Sequence, residues 1–331
     1  MRKLALMLER LKKVDPLIVL IILAVIIAII APARGTFADV FSTLTSIAIA
    51  VLFFLYGARL STQQALDGLK HWKLHLTILA FTFVLYPIVG LLLRPLTLVV
   101  SEDIYLGILF LTLVPSTVQS SVAFTSIAGG NVAGAIVSAS VSNLVGVFAT
   151  PVLVMLLMGA SDGIHIDASV FGEIALQLLL PFILGQLLRR WVKDFAANKG
   201  TKVVDRGSIA MVVYSAFSSG IVAGVWSQIK VWEVIFLIVF SAVLVVVMLM
   251  LTRFISDKLG FDRGDRIASE FCGSKKSLAT GLPIASVMFA SGATPLGLII
   301  LPLMIYHQVQ LMICSWLAAR YGREATDQNA S

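Results

Sequence analysis

The stretch Ser269-Glu270-Phe271-Cys272-Gly273-Ser274-Lys275-Lys276-Ser277-Leu278-Ala279 puts a carboxylate, two ammonium groups, a glycine and three hydroxyls inside a segment that is otherwise apolar. A charge at bilayer depth costs roughly 2.5–3.5 kcal/mol on insertion scales, so it persists where it pairs, meets water or binds something. Of the 18 acidic residues, Glu270 is the one that cannot be moved to a loop or a helix end. A carboxylate placed there can bind a cation or carry a proton. The plainer reading is a structural ion pair with Lys275 or Lys276, in which desolvation offsets the attraction. Adjacent helical residues point about 100° apart, so at most one of the two lysines can face Glu270. Lys276 then meets an anionic substrate or lines a wet crevice.

A second polar island, Pro115-Ser116-Thr117-Val118-Gln119-Ser120-Ser121, interrupts another apolar segment. The hydroxyls of Thr117, Ser120 and Ser121 can give oxygen to a hard cation, or bond back to helix carbonyls. Gln119 can donate to a substrate or simply satisfy the break. His307, beside Tyr306, Gln308 and Gln310, adds a group that titrates near neutrality, with a structural histidine as the plainer reading. Asn131, after Gly129-Gly130, reads as a helix N-cap. Gly134, Ser138 and Ser142, four apart, read as a face for close helix packing. Gly273 to Ser277 looks like the end of a phosphate loop, but it lacks the preceding glycine spacing and follows no strand. With no His/Asp or Cys/His pair inside the apolar segments and no nucleotide domain, neither an enzyme nor an ATP-driven pump is expected. Cys272 and Cys314 form no disulfide framework and no metal-ligand spacing.

The elements that must position these groups follow from composition. At 59% hydrophobic and 13% charged residues, the chain reads as an all-α integral membrane protein. Runs such as 16–31 and 234–251 lack the alternation of barrel strands. Spans of about 20 residues fit as ten transmembrane helices, near 15–32, 38–58, 74–95, 104–128, 132–158, 168–190, 207–226, 231–254, 265–290 and 296–319. With the N-terminus cytoplasmic, 20 of the 25 Lys and Arg residues fall inside, only Arg34, Arg94 and Lys230 outside, and Lys275 and Lys276 in the membrane. That asymmetry predicts an inner (plasma) membrane protein with both termini cytoplasmic. The net charge of +7 then reports topology, and no nucleic-acid partner is expected. Residues 1–13 read as a basic amphipathic helix at the inner interface. Cleavage near Ala31-Pro32-Ala33 is disfavoured, because the apolar run before it exceeds a signal-peptide core.

An odd number of spans per half gives the halves opposite orientation, the topology of an inverted-repeat transporter. The expected division is an amphipathic segment 1–14, a first five-helix repeat 15–158, a second 159–320 and a cytoplasmic tail 321–331. The polar islands interrupt the fourth and ninth spans, matching positions of the two halves. Broken spans expose N–H and C=O groups that can bind ions at the midplane.

The form Glu270-Phe-Cys-Gly-Ser-Lys-Lys-Ser-Leu-Ala-Thr-Gly-Leu-Pro, together with Pro115–Ala133, resembles the bile acid:sodium symporter superfamily. It is most similar to the divergent SBF-like branch, which includes bacterial YfeH-type proteins and the seventh member of vertebrate solute-carrier family 10. The resemblance implies crossing discontinuous helices four and nine. It also implies a core of spans 3, 4, 5, 8, 9 and 10 moving against a panel of 1, 2, 6 and 7. In sodium-coupled members a ninth-helix glutamate serves both sodium sites, and Glu270 matches it. The neighbouring glutamine and asparagine positions are Ser274 and Lys275 here, Ser121 stands for the fourth-helix asparagine, and Thr82 falls where a third-helix glutamine precedes a proline, here Pro87. Glu270, Ser120 and Ser121 are thereby the candidate sodium ligands. An ammonium at Lys275 beside Glu270 would take the space and charge of one sodium ion. The expected activity is secondary transport of a small organic anion by alternating access, coupled to sodium or protons at Glu270. The rival expectations are a non-transporting membrane regulator of ion homeostasis and an ion or metalloid transporter.

Overall fold

Backbone polar groups have no water to turn to in lipid, so a spanning segment must satisfy them itself. The computed structural model describes residues 16–59, 71–158, 175–198, 200–222, 224, 229–289 and 295–330, and among these every regular element is helical. In chain order they are α1 (Pro16–Ile30), α2 (Gly35–Arg59), α3 (Trp72–Ala80), a π-helical turn (Phe81–Leu85), α4 (Tyr86–Leu92) and a 3-10 turn (Arg94–Leu98). Then follow α5 (Glu102–Leu113), α6 (Gln119–Ile127), α7 (Val132–Leu157), a second π turn (Ala175–Leu179), α8 (Leu180–Leu187), α9 (Arg189–Ala197) and α10 (Thr201–Val222). The last are α11 (Val231–Lys258), α12 (Arg263–Gly273), α13 (Leu278–Met288) and α14 (Leu296–Ala330).

Five continuous helical segments among the described residues are long and apolar enough to cross a membrane: 35–59, 72–98, 132–157, 231–258 and 296–324. Each overlays one expected span. Ile22, Ile29 and Ile30 of α1 and Val239, Val243 and Met250 of α11 are exposed, as side chains facing lipid are. The expected fourth and ninth spans are each two helices, α5/α6 and α12/α13, separated at 114–118 and 274–277. Helix α14 continues to Ala330, beyond the expected end at 319. The amphipathic segment 1–13 and the start of the sixth expected span lie outside the described residues.

The helices sort into two compact units, α1, α2 and α8–α10 in one, α3–α7 and α11–α14 in the other. Within the first unit, α2 and α8 approach at two glycines. A Cβ on Gly57 would overlap the Phe182 carbonyl, and one on Gly185 would overlap the Phe54 carbonyl. Arg59 then closes the unit, donating from Nε to Ala196 O (2.7 Å) and pairing with Asp205 (2.7 Å) and Thr201 Oγ1 (2.8 Å). Its guanidinium thereby satisfies a last-turn carbonyl of α9, where a cation is electrostatically favoured.

Within the second unit, α3, α7 and α12 meet through small residues. Ala135 and Ala139, like Ala268 and Cys272, are four apart and pack with Leu74 and Ile78. The stripe Gly134, Ser138, Ser142 is buried as expected, and it also bonds: Ser138 Oγ lies 2.6 Å from His75 Nδ1, and Ser142 Oγ accepts from Ser116 N. Asn131 is the expected N-cap of α7, its Oδ1 accepting from Gly134 N at 2.8 Å. Cys272 and Cys314 are both free and buried.

Candidate functional site

The break after α5 is set by Pro115. A proline disfavours the α region in its predecessor and has no N–H to continue the ladder. Val114 is accordingly extended (φ −79°, ψ 156°) and the helix stops at Leu113. The break after α12 contains no proline. Gly273 and Ser274 are weak helix formers, and Ser277 restarts the chain as N-cap of α13, accepting from Thr280 N.

Each break then satisfies the other. Ser277 N donates to Pro115 O (2.7 Å), Ser116 Oγ to Cys272 O (2.5 Å) and Ser121 Oγ to Phe271 O (2.9 Å). The two interruptions are therefore in direct contact. Asn143 of α7 braces both: its Nδ2 donates to Ser116 O (2.7 Å) and Ala139 O (2.9 Å), and its Oδ1 accepts from Thr280 Oγ1 (2.6 Å). On the other side, Tyr86 and Tyr306 both donate to Ser274 O, at 2.5 and 2.9 Å. Gln310 clamps the Lys276 peptide from both ends, Oε1 accepting from its N–H and Nε2 donating to its C=O.

Three hydrogen bonds at about 0.6 kcal/mol each, the average found within membranes, put the loss in Asn143→Leu at roughly 2 kcal/mol. That variant should melt measurably lower in detergent than wild type. An unchanged melting temperature would contradict the brace.

Glu270 is 1% exposed and neither carboxylate oxygen accepts a hydrogen bond of ordinary length. Its nearest cation is Arg253, with Nε 3.9 Å from Oε1 and a side chain half exposed. Arg253 also donates to Tyr321 Oη at 3.2 Å, which sets that phenol beside the carboxylate. Arg266, four residues before Glu270, is held by Asp257 at 3.0 Å. The plainer reading of Glu270, an ion pair with Lys275 or Lys276, is not what forms.

Lys275 and Lys276, both fully buried, diverge. The Nζ of Lys276 donates to three main-chain carbonyls, Thr82 (2.9 Å), Thr112 (2.8 Å) and Val114 (2.9 Å), and lies 4.1 Å from the centre of the Tyr86 ring. The Nζ of Lys275 has no hydrogen-bond partner and lies over Phe124 (3.9 Å) and Phe271 (5.3 Å). The ammonium expected beside Glu270 is thus in an aromatic box instead.

The other expected site residues are only partly gathered. Thr117, Ser120 and Ser121 share their hydroxyls at the start of α6, at 2.7 and 3.0 Å from Thr117 Oγ1, and no hydrogen bond joins them to Glu270. Gln119 is exposed. Thr82 contributes through its carbonyl, while its hydroxyl bonds back to Ile78 O. Ser274 Oγ likewise returns to Glu270 O (2.5 Å). His307 is joined through Gln310, whose Nε2 is 2.9 Å from Nδ1. The Lys276 peptide sets the orientation of that amide, so Gln310 donates and Nδ1 accepts, which assigns the tautomer with the proton on Nε2.

Asn143, Phe124, Arg253 and Tyr321 were not singled out from the sequence. An asparagine within an apolar span was a usable sign for Asn143. Arg253 lies near the end of an expected span, where a basic residue marks topology.

Paired helix interruptions that hold buried charge are typical of binding sites in secondary transporters. The chain belongs to the SBF-like CPA transporter family, whose model matches residues 15–323. It is similar to the Pseudomonas aeruginosa protein PA2026 (48% identical, over 94% of both chains). YfeH of Escherichia coli is 44% identical over 96% of this chain and 95% of its own. The sodium/bile acid cotransporter 7-B of Xenopus laevis is 32% identical over 94% and 92% respectively. The family and these cotransporters are transporters and not enzymes, and with its apolar helices this chain is a multi-pass membrane protein.

Proposed function

We propose that this protein is a secondary active transporter that moves a small organic anion by alternating access, with sodium or proton coupling centred on Glu270. The observation that carries the reading is the pair of buried charges left unsatisfied beside the crossing, Glu270 and Lys275. A carboxylate that accepts no hydrogen bond of ordinary length is a ready ligand for a proton or a hard cation. A buried ammonium without an acceptor is a ready partner for an anion. Isolated charges in such surroundings mark substrate and ion pathways. A sodium ion would be held by Glu270, and Ser120 and Ser121 would join it only after local movement, since their hydroxyls now bond to Thr117 and Phe271.

We further propose ten spans in two inverted repeats of five, in the inner membrane, with both termini cytoplasmic. The charge asymmetry of the sequence and the matching interruptions of α5/α6 and α12/α13 support this arrangement. The unit of α3–α7 and α11–α14 holds the crossing and would be the core, and the unit of α1, α2 and α8–α10 the panel. The named relatives that are sodium/bile acid cotransporters support both an anionic substrate and sodium.

Purified protein in liposomes, given a sodium or a proton gradient and a panel of organic anions including bile acids, tests this directly. We expect gradient-driven anion uptake that Lys275→Met removes. Ion or metalloid flux without anion uptake would replace the substrate assignment. Folded protein that moves nothing under either gradient would favour a regulatory role.

A further inference from the structure

Three carbonyl oxygens converge on the Lys276 ammonium, and each is free for a separate backbone reason. Tyr86 N donates to Phe81 O in the π turn, so the next bond of that ladder would run from residue 87 to Thr82 O. Residue 87 is proline, which has no N–H. Thr112 O would be reached in an unbroken helix by Ser116 N, which instead donates to Ser142 Oγ. Val114 lies past the end of α5 in an extended conformation. Thr112 O, in the last turn of α5, also carries the negative end of that helix's dipole.

We propose that this cluster is a cation site built by the backbone, for a small monovalent cation, and that Lys276 is the tethered cation that fills it. The fit is stoichiometric. An ammonium has three donors and no acceptor, and its three bonds, at 2.8–2.9 Å, go to three oxygens, while the Tyr86 ring covers it at 4.1 Å. Lys275 has the same headgroup one residue away and no oxygen at all, so adjacency in sequence does not account for the cage. The Gln310 clamp on the Lys276 peptide holds the tether in place.

The test reads folding rather than transport, so it can fail while the transport reading stands. Lys276→Ala empties the cage of its ammonium. The variant should melt lower than wild type, and methylammonium or ammonium chloride should raise its melting temperature with concentration, relative to N-methylglucamine chloride at equal ionic strength. Wild type should show no such rise with methylammonium. A folded Lys276→Ala protein indifferent to methylammonium, ammonium, sodium and potassium would overturn the proposal. Should that variant not fold, nitrogen-15 lysine NMR of the wild-type protein decides, with Lys275→Met to assign the signals. Lys276 Nζ should hold three protons protected from solvent exchange, and a neutral amine there would overturn the assignment.

Discussion

Glu270→Gln is expected to abolish coupled uptake while the protein still inserts and folds. The substitution keeps the volume and removes the charge. A unit charge about 4 Å from a cation contributes about 4 kcal/mol at an effective dielectric near 20, or roughly a thousandfold in cation affinity. Because neither carboxylate oxygen accepts an ordinary hydrogen bond, the amide disturbs only the contacts with Arg253 and Tyr321, and the protein should still fold. The partner at risk is Arg253, but its side chain is half exposed and can return to solvent. Uptake in liposomes together with melting temperature separates the cases. Wild-type uptake by Glu270→Gln would sink the coupling role, and gross unfolding would make Glu270 a structural group.

Gly185→Val should prevent the first helical unit from forming. The contact between α2 and α8 is reciprocal: side chains at Gly57 and Gly185 would each overlap a main-chain carbonyl of the opposite helix. No rotamer relieves a clash with backbone, so the helices must separate, and overpacking of this kind costs about 3 kcal/mol or more. Gly207 in α10 is the control, since a Cβ there meets nothing within 4 Å. Gly207→Ala should be neutral or more stable by up to about 1 kcal/mol. The fraction of folded, monodisperse protein in detergent measures both. A Gly185→Val protein that melts like wild type would refute the close crossing.

Much of the site's position was legible in the sequence, and the reasons are local. Apolar length announces spanning helices, and the long ones lie where hydropathy placed them. Pro115 announces a break because its effect is covalent. Asn131 announces a cap because its bond reaches only three residues. Glu270 stood out because a carboxylate amid apolar residues is costly wherever the helix lies.

The directions of the side chains were not legible. The reading that at most one lysine can face Glu270 used a helical wheel, yet Lys275 and Lys276 lie in the 274–277 interruption, where the angle of 100° per residue does not hold, and neither meets the carboxylate. The sequence marks Thr82 by its place before Pro87 but not that its carbonyl does the bonding, because that follows from a π turn meeting Pro87. The tautomer of His307 depends on Gln310, and Gln310 on the Lys276 main chain in the 274–277 interruption.

The sequence by itself determined the class of protein, where its helices break and which charges had to be explained. It did so because burial cost, proline geometry and capping act over a few residues. Only the tertiary structure decided which ammonium meets three carbonyls, which meets two aromatic rings and which cation stands by Glu270. Those choices depend on where two interrupted helices meet, and freed N–H and C=O groups of one break find their partners on the other.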